Sequence, residues 1–157
     1  MKKILVCGIF LLLGGCAGLF SGPDCRLSED EYVAKITDAR KVAVIHFANG
    51  KANLSKRDLQ TIKAVAVRAN AENSAVVVYG HASHRTLTKD PIQRILINLD
   101  ISNERAVNVA RAVAASGVPI NRISPIALFD SRPLVAEVTP ADEAANRRAE
   151  IYLYRYK

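Results

Sequence analysis

The sequence predicts an α+β domain with the element order β-α-β-α-β-(α)-β and helices covering one face of the sheet. Two observations carry the prediction. Short β-branched runs alternate with segments of helical spacing, so the apolar period keeps switching between strand and helix. The strand–helix–strand links are long enough for crossovers, which make the linked strands parallel and put the helices on a face.

Each element has its own signal. Lys41 to Phe47 alternates and is rich in valine and isoleucine, as a strand should be, and Asn49-Gly50 then marks a turn. Ser55 and Asp58 are spaced as a capping box, and Leu59, Ile62, Ala66 and Ala69 recur at helical spacing to about Asn70. Ala75 to Tyr79 is a continuous apolar strand suited to a central place. Thr88 to Pro91 reads as a turn. Asp100 or Ser102 then caps a helix with Ala106, Val109, Ala110 and Val113 on its apolar side and Gly117 at its end. Arg122 to Leu128 is a strand broken by Pro125, which places it at an edge. Thr139-Pro140-Ala141-Asp142 opens a short helix. Arg148 to Tyr156 alternates strictly, with Ala149, Ile151 and Leu153 on one face and Glu150, Tyr152 and Tyr154 on the other.

Half of the 157 residues are hydrophobic and 24% are charged, so a packed core is expected and global disorder is not. Twenty-two basic against 15 acidic side chains give +7, or +5 without Lys2 and Lys3, which favours an anionic partner. The basic residues are scattered and lack an aromatic-rich strand pair, which argues against nucleic acid.

The amino terminus reads as a targeting segment. Lys2-Lys3 precedes an apolar run from Ile4 to Leu13, too short for the roughly 20 residues of a membrane span. Leu13-Gly14-Gly15-Cys16 resembles the lipobox of bacterial lipoproteins. That resemblance implies a signal peptide over residues 1–15, an acylated Cys16 and a tether with an N-terminal arm over residues 16–40. Multiple acyl chains on one cysteine anchor firmly, unlike a single chain. Ala17, a non-aspartate, points by the same resemblance to the outer membrane, with the domain in the periplasm. Cys25 is then left alone, free or paired with another chain. Cys25 to Arg40 reads as a lead-in helix or irregular arm.

From Val76 to Ala106 a strand ends at Gly80, a polar loop with two histidines follows, and a helix carries Arg105. A loop between a strand end and a helix start gathers N–H groups and side chains fit for a charged ligand. Gly80-His81 after the strand, Asn98 through Ser102 to Arg105-Ala106, and Asn146-Arg147-Arg148 before the last strand together resemble the OmpA-like peptidoglycan-associated domain over residues 41–157. The resemblance implies a mixed sheet and non-covalent binding of peptidoglycan stem peptides, tethering the envelope layers. It implies that Arg105 forks onto the carboxylate of diaminopimelate. Asn98, Ser83, His81, Ser102 and Arg148 are the other candidate ligand residues, with N–H groups near Ser102 and Asn103 as added donors.

The family's loop Thr-Asp is Ala82-Ser83 here, so the usual ammonium partner is missing. Asp90 or Asp100 is a candidate substitute. Alternatively the long loop after Ser83 serves a protein partner in an envelope complex, such as a secretion or motility machine. No cofactor is implied. His81 and His84 form H-x-x-H without a third ligand at metal spacing, and Ser83 lies in no Gly-x-Ser-x-Gly elbow, so neither metal nor catalysis is expected.

Overall fold

The computed structural model describes residues 36–86 and 88–156. The signal segment, Cys16, the tether and Cys25 lie outside the described residues. Strand β1 is Ile36–His46, helix α1 is Lys56–Ala71 and strand β2 is Ala75–Gly80. Helix α2 is Pro91–Ala115, strand β3 is Ile123–Ala127, helix α3 is Pro140–Asn146 and strand β4 is Arg148–Tyr156. Among the described residues no helix is long and apolar enough to cross a membrane.

The strands form one mixed sheet in the order β1-β4-β2-β3. β2 and β3 are parallel, while β4 runs antiparallel to both β1 and β2. The link through α1 does make β1 and β2 parallel in direction, but they are not neighbours, because β4 lies between them. Its alternation explains the placement. Ala149, Ile151 and Leu153 enter the main core, and Tyr152 and Tyr154 join a smaller apolar cluster on the opposite face. β3 takes an edge, as Pro125 requires, because proline has no N–H to donate to a second neighbour.

The core lies between the sheet and the two long helices. Ile62, Val65, Ala66 and Ala69 of α1 and Ala106, Val109, Ala110 and Val113 of α2 pack on Ile45, Val76, Val78, Ile151 and Leu153. Leu59, expected on that face, is 47% exposed, and Val65 fills the buried position instead. The predicted capping box of Ser55 with Asp58 forms, and the expected helix start at Thr139 closes a second one with Asp142.

Two boundaries differ from expectation. Residues 36–40, read as part of the arm, belong to β1. α2 starts at Pro91, well before the expected Asp100–Ser102. Asp90 is its N-cap, with a side chain that accepts from the N–H groups of Ile92 and Gln93, and Pro91 occupies the first turn. The four residues read as a turn are thus a helix start. The N–H groups of Ser102 and Asn103 lie inside a continuous helix, where they are already used and offer nothing to an anion.

Candidate functional site

The site begins with Gly80. A Cβ built there would lie 2.0 Å from the Ser102 carbonyl oxygen and 3.1 Å from the Ala106 Cβ. The missing side chain lets α2 press its backbone against the end of β2. That approach carries Arg105 beneath two loops, the turn after β1 and the segment after β2.

Arg105 is 1% exposed. Its Nε donates to the Lys51 carbonyl at 3.0 Å, Nη1 to the His81 carbonyl at 2.8 Å and Nη2 to the Ala48 carbonyl at 3.4 Å. The guanidinium also sits 5.3 Å from the centre of the Phe47 ring, within cation–π range. Among the described residues no carboxylate forms an ion pair with it. Burial and then the nearby Arg147 push its pKa down to about 10, against the pull of Glu104. It stays charged at neutral pH. Among the described residues three carbonyls and the face of the Phe47 ring hold this buried charge, which leaves guanidinium donors to spare.

The loop after β2 is stitched on both sides. The His81 N–H donates to the Arg148 carbonyl and the Ala82 N–H to the Phe129 carbonyl. Ser102 donates its hydroxyl to the Leu99 carbonyl and accepts from the Phe129 N–H at 3.1 Å. Ser102 therefore ties α2 to the segment after β3. Asn98 is 2% exposed, and its amide nitrogen has no hydrogen-bond partner. Ser83 is buried in the loop itself.

Neither Asp90 nor Asp100 pairs with Arg105; Asp90 is spent on its helix cap. The carboxylates beside the loop come from the segment between β3 and α3. Asp130 and Glu137 line a cleft of about 250 Å³ together with Ala82, His84, Pro133 and Ala136. Asp130 is paired with Arg94 and lies 2.8 Å from His84 Nδ1. Glu137 accepts from the N–H groups of His84 at 2.8 Å and Arg85 at 3.2 Å, and from Asn146 Nδ2 at 2.9 Å. Among the described residues no cation forms an ion pair with Glu137. Asn146 also accepts from the Leu134 and Val135 N–H groups, so it shapes the segment that presents Glu137. Asp130 and Glu137 carry no local sequence signal. Only the missing loop aspartate hinted that a substitute was needed.

The remaining candidates face the other way. Alternation along β2 puts Val76 and Val78 under the helices and Tyr79 on the opposite face, and the His81 ring follows Tyr79. There His81, Arg148, Glu150 and the tyrosines line a groove of about 350 Å³. Arg148 pairs with Glu150 at 2.8 Å, and Tyr152 donates to the same carboxylate at 3.0 Å. The expected site is therefore split. Arg105, Asn98 and Ser102 lie on the helix side, with Ser83 in the connecting loop. The His81 ring and Arg148 lie beyond the sheet, and His81 joins the helix side only through its carbonyl. Among the described residues no three His, Cys, Asp or Glu side chains are grouped to hold a metal.

His81 is 2% exposed, and neither ring nitrogen has a partner. Burial, then Arg148, lowers its pKa from 6.5 to about 4. Above pH 6.5 the ring is neutral in both folded and unfolded chains, and its contribution is intact. As pH falls toward 4 the unfolded chain takes the proton first, and stability drops by about 3 kcal/mol. Urea unfolding of wild type and His81→Phe at pH 7 and pH 4.5 should show a smaller loss for the variant. Equal losses would mean that the ring is not held neutral.

The fold and loops define a small α+β domain, with the buried Arg105 guanidinium and the Glu137 carboxylate both set against the loop after β2. The chain belongs to the OmpA family, whose model matches residues 46–147. The peptidoglycan-binding protein ArfA of Mycobacterium tuberculosis and of Mycobacterium bovis is 31% identical over 107 residues. Those residues are 68% of this chain, which spans 31% of that relative's length. The peptidoglycan-associated lipoprotein from Burkholderia pseudomallei has a similar fold, with a TM-score of 0.63 at 19% identity over 74% of this chain and 91% of that one. The cell wall anchor of the T6SS from Pseudomonas aeruginosa aligns with a TM-score of 0.60 at 21% identity, covering 80% and 92%. The periplasmic domain of Helicobacter pylori MotB aligns with a TM-score of 0.58 at 18% identity, covering 69% of each chain.

Proposed function

We propose that this protein is an outer-membrane lipoprotein, acylated at Cys16, whose OmpA-family domain binds peptidoglycan non-covalently from the periplasm and performs no catalysis. The observation that carries the reading is the buried Arg105 charge without a carboxylate partner at the junction of two loops. A stem peptide ending in diaminopimelate brings a carboxylate and an ammonium on one carbon. The carboxylate takes the spare guanidinium donors of Arg105, which requires the exposed Ala48–Lys51 turn to lift. The ammonium goes to Glu137 in place of the missing loop aspartate. Asn98 turns its unpartnered amide to the same ligand, and Ser83 lines the path between the two charges. In this scheme His81 and Arg148 shape the loop from behind.

Co-sedimentation with purified diaminopimelate-containing sacculi tests the reading. Glu137→Gln keeps the size and the acceptor oxygen but removes the charge. Losing one charge-assisted bond of about 1.5–3 kcal/mol lowers affinity roughly tenfold to a hundredfold. Sedimentation of Glu137→Gln equal to wild type would remove the proposed ammonium site. In cells, Cys16→Ala should lose palmitate label and leave the membrane fraction.

A further inference from the structure

The chain reaches the sheet at Ile36, and the fold collects arginines at that same pole. β1, β2 and β3 start there, while α1, α2 and β4 end there, because β4 runs antiparallel to β1 and β2 and β3 runs parallel to β2. The stretches at this pole are residues 36–40, 68–75, 111–123 and 153–156. They hold five arginines (Arg40, Arg68, Arg111, Arg122 and Arg155) against two acids, Asp38 and Glu72, which leaves +3. Glu72 draws three of the arginines together: Arg68 Nε lies 2.9 Å and Arg155 Nη2 3.5 Å from its carboxylate, and Arg40 pairs with it too. Arg122 spends its donors on the side-chain oxygens of Asn70 and Asn73, not on a carboxylate. Arg111 is exposed one turn before the end of α2. In the turn that carries Arg122, Ile120 stands out at 74% exposure. The Arg105 site lies at the other pole, beyond His46 and Gly80, where its guanidinium meets the Ala48–Lys51 turn.

We propose that this pole docks on the anionic phospholipid headgroups of the membrane that anchors the chain. Guanidinium forks match phosphate oxygens with paired hydrogen bonds. Clustered cations with too few carboxylates attract a negative surface, within a Debye length of about 8 Å at physiological salt. Ile120 adds what a soluble anion would not use: an apolar side chain beside cations, fit to sink to the boundary between headgroups and acyl chains. Chain length agrees. Cys16 is 20 residues from Ile36, a reach of at most about 70 Å. The pole joined to the anchor is the one that meets the bilayer, and linkage keeps it at high effective concentration there. The Arg105 site then points away from the membrane, toward the wall. The inference rests on the membrane-anchored reading and goes beyond it, because it assigns the surface of the domain that lies on the lipid.

The test places a photoreactive phenylalanine analogue at position 120 of the full-length chain. The protein is reconstituted into vesicles of phosphatidylcholine alone, or of equal parts phosphatidylcholine and phosphatidylglycerol, and illuminated. The expected product is a lipid adduct, read by intact mass, at least fivefold more abundant with phosphatidylglycerol. The same analogue at Lys56, at the opposite pole, should give none. Arg111→Glu should cut the adduct from position 120 at least threefold without lowering the melting temperature, because Arg111 is exposed. Raising salt to about 1 M, where the Debye length is about 3 Å, should cut it likewise. Equal yield in the two lipids, a cross-link to another protein in place of lipid, or no adduct from a chain that floats with the vesicles would overturn the proposal. A chain that fails to float with phosphatidylglycerol vesicles at all would overturn it together with the anchor. Sacculus binding by Arg111→Glu should equal that of wild type, which separates failure here from failure of the wall-binding reading.

Discussion

Gly80→Ala is expected to lower stability by about 3 kcal/mol or more, the upper range of overpacking penalties. The new methyl would lie 2.0 Å from the Ser102 carbonyl oxygen and 3.0 Å from its carbon. Neither atom belongs to a side chain that can rotate away. α2 itself would have to retreat, and it is pinned by Ala106, Val109 and Val113, each 0% exposed. For a domain near this size such a loss moves the melting temperature by roughly 10–15 °C. Circular dichroism melts of wild type and Gly80→Ala measure it directly. A shift within 2 °C would mean that the helix is not seated against β2 as described. Sacculus binding should fall too, because retreat of α2 draws Arg105 away from the His81 carbonyl.

Arg105→Leu is expected to abolish binding to sacculi and to cost about 2–4 kcal/mol of stability. Two effects oppose each other. Removing a buried charge without a carboxylate partner relieves a desolvation cost. Against that, the buried His81 carbonyl is left dry at about 1–3 kcal/mol, and the carbonyls of Lys51 and Ala48 in the exposed turn lose the donor that joins them to it. The loss dominates because one guanidinium closes both loops, and leucine cannot. Arg105→Lys separates charge from geometry. An ammonium keeps the charge but cannot span three carbonyls in a planar fork. It should retain binding weakened at least tenfold and lie between leucine and wild type in urea midpoint. Wild-type binding by Arg105→Leu, with the variant folded, would remove Arg105 from the site and leave it as a loop clamp.

The elements were legible where one local signal decides. The capping boxes at Ser55 and Thr139, the β-branched run of β2 and the strict alternation of β4 are settled within a few residues of chain. The start of α2 was misread because Asp100 and Ser102 are good cap residues in isolation. The Asp90-Pro91 pair competes with them, and a helix continuing through Ile92–Leu99 exposes aliphatics that periodicity alone assigns to no face. The candidate site was half legible. Gly80 and Arg105 were marked by their places after a strand and on a helix. Glu137 was not, since its place beside the loop depends on the Asn146 side chain and on N–H groups more than fifty residues away in sequence.

Local period, caps and residue size were enough for the order of strands and helices, and the motifs around Gly80, Arg105 and Asn146 were enough for the family. It took the assembled fold to set β4 between β1 and β2, to turn the His81 ring and Arg148 to the face away from Arg105, and to stand Glu137 beside the loop. Strand parity and long-range packing fix those outcomes, and neither is written in any short stretch of chain.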